Sequence, residues 1–193
     1  RNITLTSVNI TGNEDVGGLV GFNEEDGTVQ SASASGSVNG TGNVGGLVGR
    51  NSGEIRDTFA VGSVSATGGF GPAGGLVGDN DSGTTNQSYF DKQATNQSES
   101  AGSATGLTTA QMQGQAAADN MKGFDFDNTW TTTSEYPALR ALSGADEGSG
   151  SGSGSGGDGP IQVDIDTSDL PGDGTSTNPY EISNVSELQA MED

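Results

Sequence analysis

The side chains with most chemistry to offer are carboxylates in short clusters. They are Glu24-Glu25-Asp26, Asp79-Asn80-Asp81, Asp125-Phe126-Asp127-Asn128, and Asp164-Ile165-Asp166 with Asp169. Clustered loop oxygens are what a hard cation such as calcium needs. Asp79, Asp81, Asp125 and Asp127 are therefore candidate calcium ligands, the Asp79–Asp81 turn first because it is able to wrap an ion. None of the clusters has the spacing of an EF-hand or of the nonapeptide calcium repeat, and a solvated acidic turn is the competing reading. Other chemistry is scarce. The chain contains no histidine and no cysteine, so it lacks the commonest general base, the commonest transition-metal ligand, thiolate sites and disulfides. Hydrolysis of polysaccharide on a β-helix would need paired carboxylates at fixed separation, or calcium beside a basic catalytic residue. Arg1, Arg50, Arg56 and Arg140 lie in separate segments, and we expect no enzyme. Asn-x-Ser/Thr sequons occur at Asn2, Asn9, Asn39, Asn80, Asn86, Asn96 and Asn184. Of these, the turn-borne Asn39 and Asn80 and the loop-borne Asn96 are the best glycan acceptors.

Such residues need elements to hold them, and the composition restricts what those are. Hydrophobic residues make up 29% of 193 residues, and 34 are glycine, against the ~45–50% apolar content of ordinary globular chains. One thick core is excluded; a thin core extended by repetition is not. The net charge of −20, from 26 acidic and 6 basic residues, repels nucleic acid, since there is little cationic surface to displace phosphate counterions. It fits either a chain solvated for high salt or one that binds calcium. No stretch approaches the ~18 apolar residues of a membrane-spanning helix.

The repetition is explicit. Val16-Gly-Gly-Leu-Val-Gly21 recurs as Val44-Gly-Gly-Leu-Val-Gly49 and as Ala73-Gly-Gly-Leu-Val-Gly78, at spacings of 28 and 29 residues. Each copy leads to an asparagine (Asn23, Asn51, Asn80), a glycine (Gly27, Gly53, Gly83) and a second strand-like run. Those runs start at Val29, Ile55 and Thr85. Small and β-branched runs separated by Gly and Asn read as short strands joined by tight turns. Alternation in Val16-Gly-Gly-Leu-Val20 places Val16 and Val20 on one face and Leu19 on the other. Stacked units would then align Val20, Val48 and Val77 in one ladder and Leu19, Leu47 and Leu76 in another. A phosphate cradle built on Gly-Gly-x-x-Gly needs a helix next, whereas asparagine turns and strands follow.

These Gly-Gly-Leu-Val-Gly repeats of about 28 residues resemble the GLUG motif of large bacterial and haloarchaeal surface proteins, including adhesin-like proteins and some secreted peptidases. The resemblance covers residues 1–142. It implies an all-β fold, a β-solenoid of ~28-residue coils with short capping helices, and a secreted or cell-surface protein without catalytic residues on the motif. The scarcity of lysine and the acidic excess look haloarchaeal.

Four segments are expected: repeats over 1–106, a helical and aromatic cap over 107–142, a Gly/Ser linker over 143–159, and a strand-turn-helix segment over 160–193. Thr108 or Thr109 should cap a short helix, with Gly123 ending the helical region. Phe124, Phe126, Trp130 and Tyr136 then offer either a seal for the open end of the solenoid or a binding platform. The linker's span is about 23 Å if ideal. Gly174-Thr-Ser-Thr-Asn-Pro-Tyr-Glu-Ile182 with Leu188 and Met191 resembles the opening of a GLUG-type domain, placed here after the repeats. Arg1–Thr6 aligns with Gln30–Ser35, and Val8 with Val38 and Val64. The chain thus reads as a window of a tandem array, a proteolytically matured subunit or a permutant. Residues 160–193 would cap the coil in cis or in trans, and the expected partner is a further copy in a head-to-tail filament. An adhesin stalk binding surface glycan or another cell is the alternative.

Overall fold

A computed structural model of the chain describes residues 1–69 and 71–142. The expected linker (143–159), the 160–193 segment, the cluster at Asp164, Asp166 and Asp169, and Asn184 lie outside the described residues.

The described chain is a β-solenoid of about three turns with a few short helices. The first coil contains β1 (Ile3–Thr11), β2 (Val16–Gly17) and β3 (Val20–Asn23). The second contains β4 (Thr28–Gly40), β5 (Val44–Gly45) and β6 (Val48–Asn51). The third contains β7 (Glu54–Ala66), β8 (Ala73–Gly74) and β9 (Val77–Asn80). A partial fourth pass supplies β10 (Thr84–Asn86) and β11 (Tyr89–Asp91), followed by α1 (Lys92–Thr95) and β12 (Thr105–Leu107). Pairing is parallel throughout the coils. It makes one long sheet, in the order β1-β4-β7-β11-β12 with β10 also on β7, and two narrow sheets, β2-β5-β8 and β3-β6-β9.

Repetition in sequence becomes ladders in space. Val20 pairs with Val48 and Val48 with Val77. The Leu19 N–H donates to the Leu47 carbonyl and the Leu47 N–H to the Leu76 carbonyl, each at 2.9 Å. The expected alternation across Val16–Val20 does not hold. The backbone leaves the narrow sheet after Gly17 and enters the next at Val20, so Gly18-Leu19 is a corner. Val16 packs with Val38, Val44 and Val64, while Leu19 and Val20 join the main core of Ala34, Leu47, Val48, Ile55, Ala60, Leu76 and Val77.

The corner also explains the double glycine. A Cβ at Gly46 would meet the Gly75 carbonyl oxygen and lie 2.8 Å from the Ala60 Cβ; at Gly18 it would lie 3.1 Å from the Ala34 Cβ. The second glycine of each motif thus packs directly on the alanine of the next coil, in a waist with no room for a side chain. In the last coil Gly75 instead meets the Phe90 ring.

Long strands β4 and β7 bend twice. One bend is a row of left-handed residues, Asn2, Ser31, Asp57 and Gln87, with φ between 45° and 60°. The other falls at Gly36 and Gly62, with φ of 128° and 148°. In the first coil the partner of Gly36 is Val8, reached through an irregularity between Leu5 and Val8 in which Ser7 has φ 56°. The expected match of Val8 with Val38 is therefore shifted: Ile10 pairs with Val38, because the bulge at Ser7 displaces the register.

Beyond the coils, α2 (Thr109–Met112) and α3 (Gln115–Asn120) precede a two-stranded antiparallel pair, β13 (Trp130–Thr131) and β14 (Ala138–Leu139). Thr108 is the N-cap of α2, where its N–H donates to Gln111 Oε1 at 3.0 Å. Gly123 has φ 91° just past the helical region. The aromatic residues of this segment do not lie across the end of the coil. Along β7 and β11, Ala60 and Phe90 face the core, whereas Phe59 and Tyr89 face outward. Phe124, Trp130, Met112, Met121 and Leu139 pack on those outward rings. The coil end is closed instead by Phe90 and by residues 97–101. The Gly75 N–H donates to the Glu99 carbonyl, the Val77 N–H to Ser100 Oγ and the Ala101 N–H to the Val77 carbonyl.

Candidate functional site

Outward side chains at strand ends and turns carry the chemistry singled out above. Arg50 is the hub of one group. Its guanidinium contacts Asp81 at 3.3 Å, sits 4.7 Å from the Phe22 ring centroid, and Arg50 is registered beside Asp79 across β6 and β9. Asp79 and Asp81 therefore face a cation already in place. Between them Asn80 turns inward. Asn23 Nδ2 donates to Asn51 Oδ1 and Asn51 Nδ2 donates to Asn80 Oδ1, both at 2.8 Å, and Asn80 Nδ2 closes the row on the Gly83 carbonyl at 2.7 Å. This amide ladder satisfies polar groups inside the turns, and Asn51 at its centre is fully buried.

The second group is a closed loop. Asp125 Oδ1 accepts from the N–H groups of Asp127 and Asn128, and the Asn128 amide donates to both carboxylate oxygens. Hydrogen bonds from Asn128 hold the Asp125 carboxyl below its ordinary value. Asp127 is exposed. Among the described residues no group of three or more carboxylates converges as a metal site would require. Of the favoured sequons, Asn39 is half-buried in β4, while Asn96 is exposed as the left-handed C-cap of α1.

One pair was missed by sequence reasoning. Asp91, fully buried, accepts from the N–H groups of Gln93 and Ala94 as the N-cap of α1, and Tyr136 donates its phenol proton to Asp91 Oδ2 at 2.6 Å. Burial pushes the Asp91 carboxyl up, but hydrogen bonds from Tyr136, Thr109 and the two backbone N–H groups outweigh it and hold it below the usual range. Burial and the Asp91 contact push the Tyr136 phenol up to about 12. Asp91 followed by Lys-Gln-Ala was a readable helix start; its distant phenol partner had no local signal.

A groove adjoins this pair. Residues Thr133–Ala138 stand off the outward face of the long sheet and leave a cavity of about 270 Å³, floored by Phe59 and Val61, walled by Tyr136 and Pro137 and edged by hydroxyl groups of β1 and β4.

Parallel coils of 28–29 residues with stacked leucine, valine and asparagine rows define a parallel β-solenoid repeat protein. The GLUG motif matches residues 12–39 and 40–68, so these two coils are GLUG-motif repeats. The third copy falls outside the matched residues. The chain is 43% identical over 150 residues to halomucin of Haloquadratum walsbyi, a match covering 75% of this chain and 2% of that protein. It is 35% identical over 91 residues to a Gly-rich membrane protein of Evansella cellulosilytica, covering 45% of this chain and 10% of that one. The chain thus spans a small part of the length of either relative. No solved structure matches.

Proposed function

We propose that this chain is a structural repeat segment of a secreted or cell-surface protein, working by the stacking of β-coils rather than by catalysis. The observation that carries the reading is the unequal state of the two ends. At the C-terminal end the ladders stop on Phe90 and on hydrogen bonds from residues 99–101. On the N-terminal face, Leu19 and Val20 are only partly buried, whereas Leu47, Val48, Leu76 and Val77 are 0% exposed. Ile3 and Phe22 are 39% and 40% exposed there, and Asn23 Oδ1 accepts no hydrogen bond from a described residue. A coil face of this kind is the shape another coil completes. Head-to-tail addition of a further unit is the contact the reading requires.

The outer surface supports the location. Carboxylates dominate it, and the ion pairs among the described residues are Arg50–Asp81 and Glu54–Arg56. The names of both relatives fit a surface setting. Electron microscopy and sedimentation of the purified chain at high and low salt test the assembly. Fibres with a regular axial repeat support it. Monodisperse single particles at every salt and protein concentration refute self-assembly and leave only the repeat-segment reading.

A further inference from the structure

We propose that the groove between the outward face of the long sheet and residues Thr133–Ala138 is a binding site for a neutral saccharide. The proposal does not depend on how the coils assemble.

Two rows of side chains cross the strands beneath the groove. In one, Thr4 is registered with Ser33 and Ser33 with Phe59; in the next, Ser35 is registered with Val61. The floor therefore changes along its length from hydroxyls on β1 and β4 to an apolar wall on β7. Thr6 adds a hydroxyl and Glu135 a carboxylate at the rim. A pyranose has the complementary construction, with a C–H face that lies on apolar side chains and hydroxyls that pair with Ser, Thr and carboxylate oxygens. Few polar groups at the edge of an apolar cleft is the usual form of a small-molecule site, and about 270 Å³ falls just below the ~300 Å³ at which such sites begin, room for one sugar ring.

The lining also rejects the other ligand classes. It holds no lysine or arginine, and its formal charge is Glu135, so an anion would meet a carboxylate on a chain of net charge −20. A wholly apolar ligand would strip water from Thr6, Ser35 and Glu135 and return no hydrogen bond.

The site is rigid on its walled side. The Tyr136 ring stacks on Phe59 with centroids 6.5 Å apart and planes 25° from parallel. The 2.6 Å bond from its hydroxyl to buried Asp91 fixes that ring. The Thr133 hydroxyl donates to the Tyr136 carbonyl and accepts from the Glu135 N–H, which sets the loop that forms the rim. A preformed wall lowers the ordering cost of binding.

Saturation-transfer NMR and calorimetry on the full chain test the site. The probes are the methyl glycosides of glucose, galactose, mannose and N-acetylglucosamine, the disaccharides maltose and cellobiose, glucuronate as an anion, and hexanol as an apolar control. At least one neutral sugar should bind with a Kd of about 1 mM or tighter, shifting amide resonances of residues 4–6 and 133–138. Thr6→Val and Glu135→Gln, both at exposed positions, should each weaken it several-fold while leaving the circular dichroism spectrum unchanged. The proposal is overturned if no neutral sugar binds, if glucuronate or hexanol binds more tightly, or if binding is indifferent to both substitutions.

Discussion

Truncating Asn51 to alanine should destabilise the protein more than truncating either neighbour in the amide row. The Asn51 side chain accepts from Asn23 Nδ2 at 2.8 Å and donates to Asn80 Oδ1 at 2.8 Å and to the Gly53 carbonyl at 3.2 Å. Its removal leaves buried groups of Asn23 and Asn80 without their best partners. Asn23 Nδ2 keeps weak contacts with the Gly27 and Glu54 carbonyls, both at 3.4 Å, so its loss is partial. At ~1–3 kcal/mol per orphaned buried group, with a small cavity added, Asn51→Ala should cost about 3 kcal/mol. Asn23→Ala breaks one link at the end of the row and should cost about 1 kcal/mol. With a urea slope of ~1–3 kcal/mol/M, the Asn51→Ala midpoint falls by about 1–3 M, read by circular dichroism in constant salt. Equal costs at Asn23 and Asn51, or less than about 1 kcal/mol at Asn51, would refute the ladder as a cooperative element.

Four further outcomes follow from the geometry. Gly46→Ala places a methyl against the Gly75 carbonyl and 2.8 Å from the Ala60 Cβ; loss of about 3 kcal/mol or failure to fold is expected, and a denaturation midpoint like wild type would contradict the waist. The Asp91 carboxyl is held below its ordinary value, so its ionised form stabilises the fold above the unfolded pKa. That contribution disappears as pH falls through the folded-state pKa, and Asp91→Asn should flatten the acid limb of the stability curve. Salt should raise the melting temperature, because unpaired carboxylates repel over a Debye length that shrinks from about 10 Å at 0.1 M to about 3 Å at 1 M; a lower melting temperature in 1 M salt would contradict self-repulsion. In a glycosylating host, mass spectrometry should find glycan at exposed Asn96 and not at Asn80, whose amide nitrogen donates to the Gly83 carbonyl.

The rows of the solenoid were readable because residues 28–29 apart repeat. Val20, Val48 and Val77, and Leu19, Leu47 and Leu76, align as their spacing implies. The path inside each coil was less legible. Alternation presumes a straight strand, and the Gly18-Leu19 corner breaks that presumption. Ser31 and Asp57 adopt left-handed φ without being glycine, and the ladder between β4 and β7 skips both of them, a bend with no mark in residue type. Phe59 and Phe90 look alike in sequence, yet Phe59 faces the side segment and Phe90 ends the core; strand phase, hidden by the bends, decides between them. The Tyr136–Asp91 bond joins residues 45 positions apart, beyond any spacing rule. The clusters at Asp79 and at Asp125–Asn128 were visible as residues, but the pairing of Arg50 with Asp81, 31 positions away, was not.

Phe90 occupies the position that Ala60 and Ala34 hold in the two coils before it and Leu5 holds in the first. A methyl at this point leaves the waist open to one more layer; a ring fills it. The row of small residues under the double glycine thus ends on a ring, while the long sheet runs on from β11 to β12. Because Val20, Val48 and Val77, and Asn23, Asn51 and Asn80, stand in register, a coil of the same length set between two of them would extend each row by one residue and disturb none.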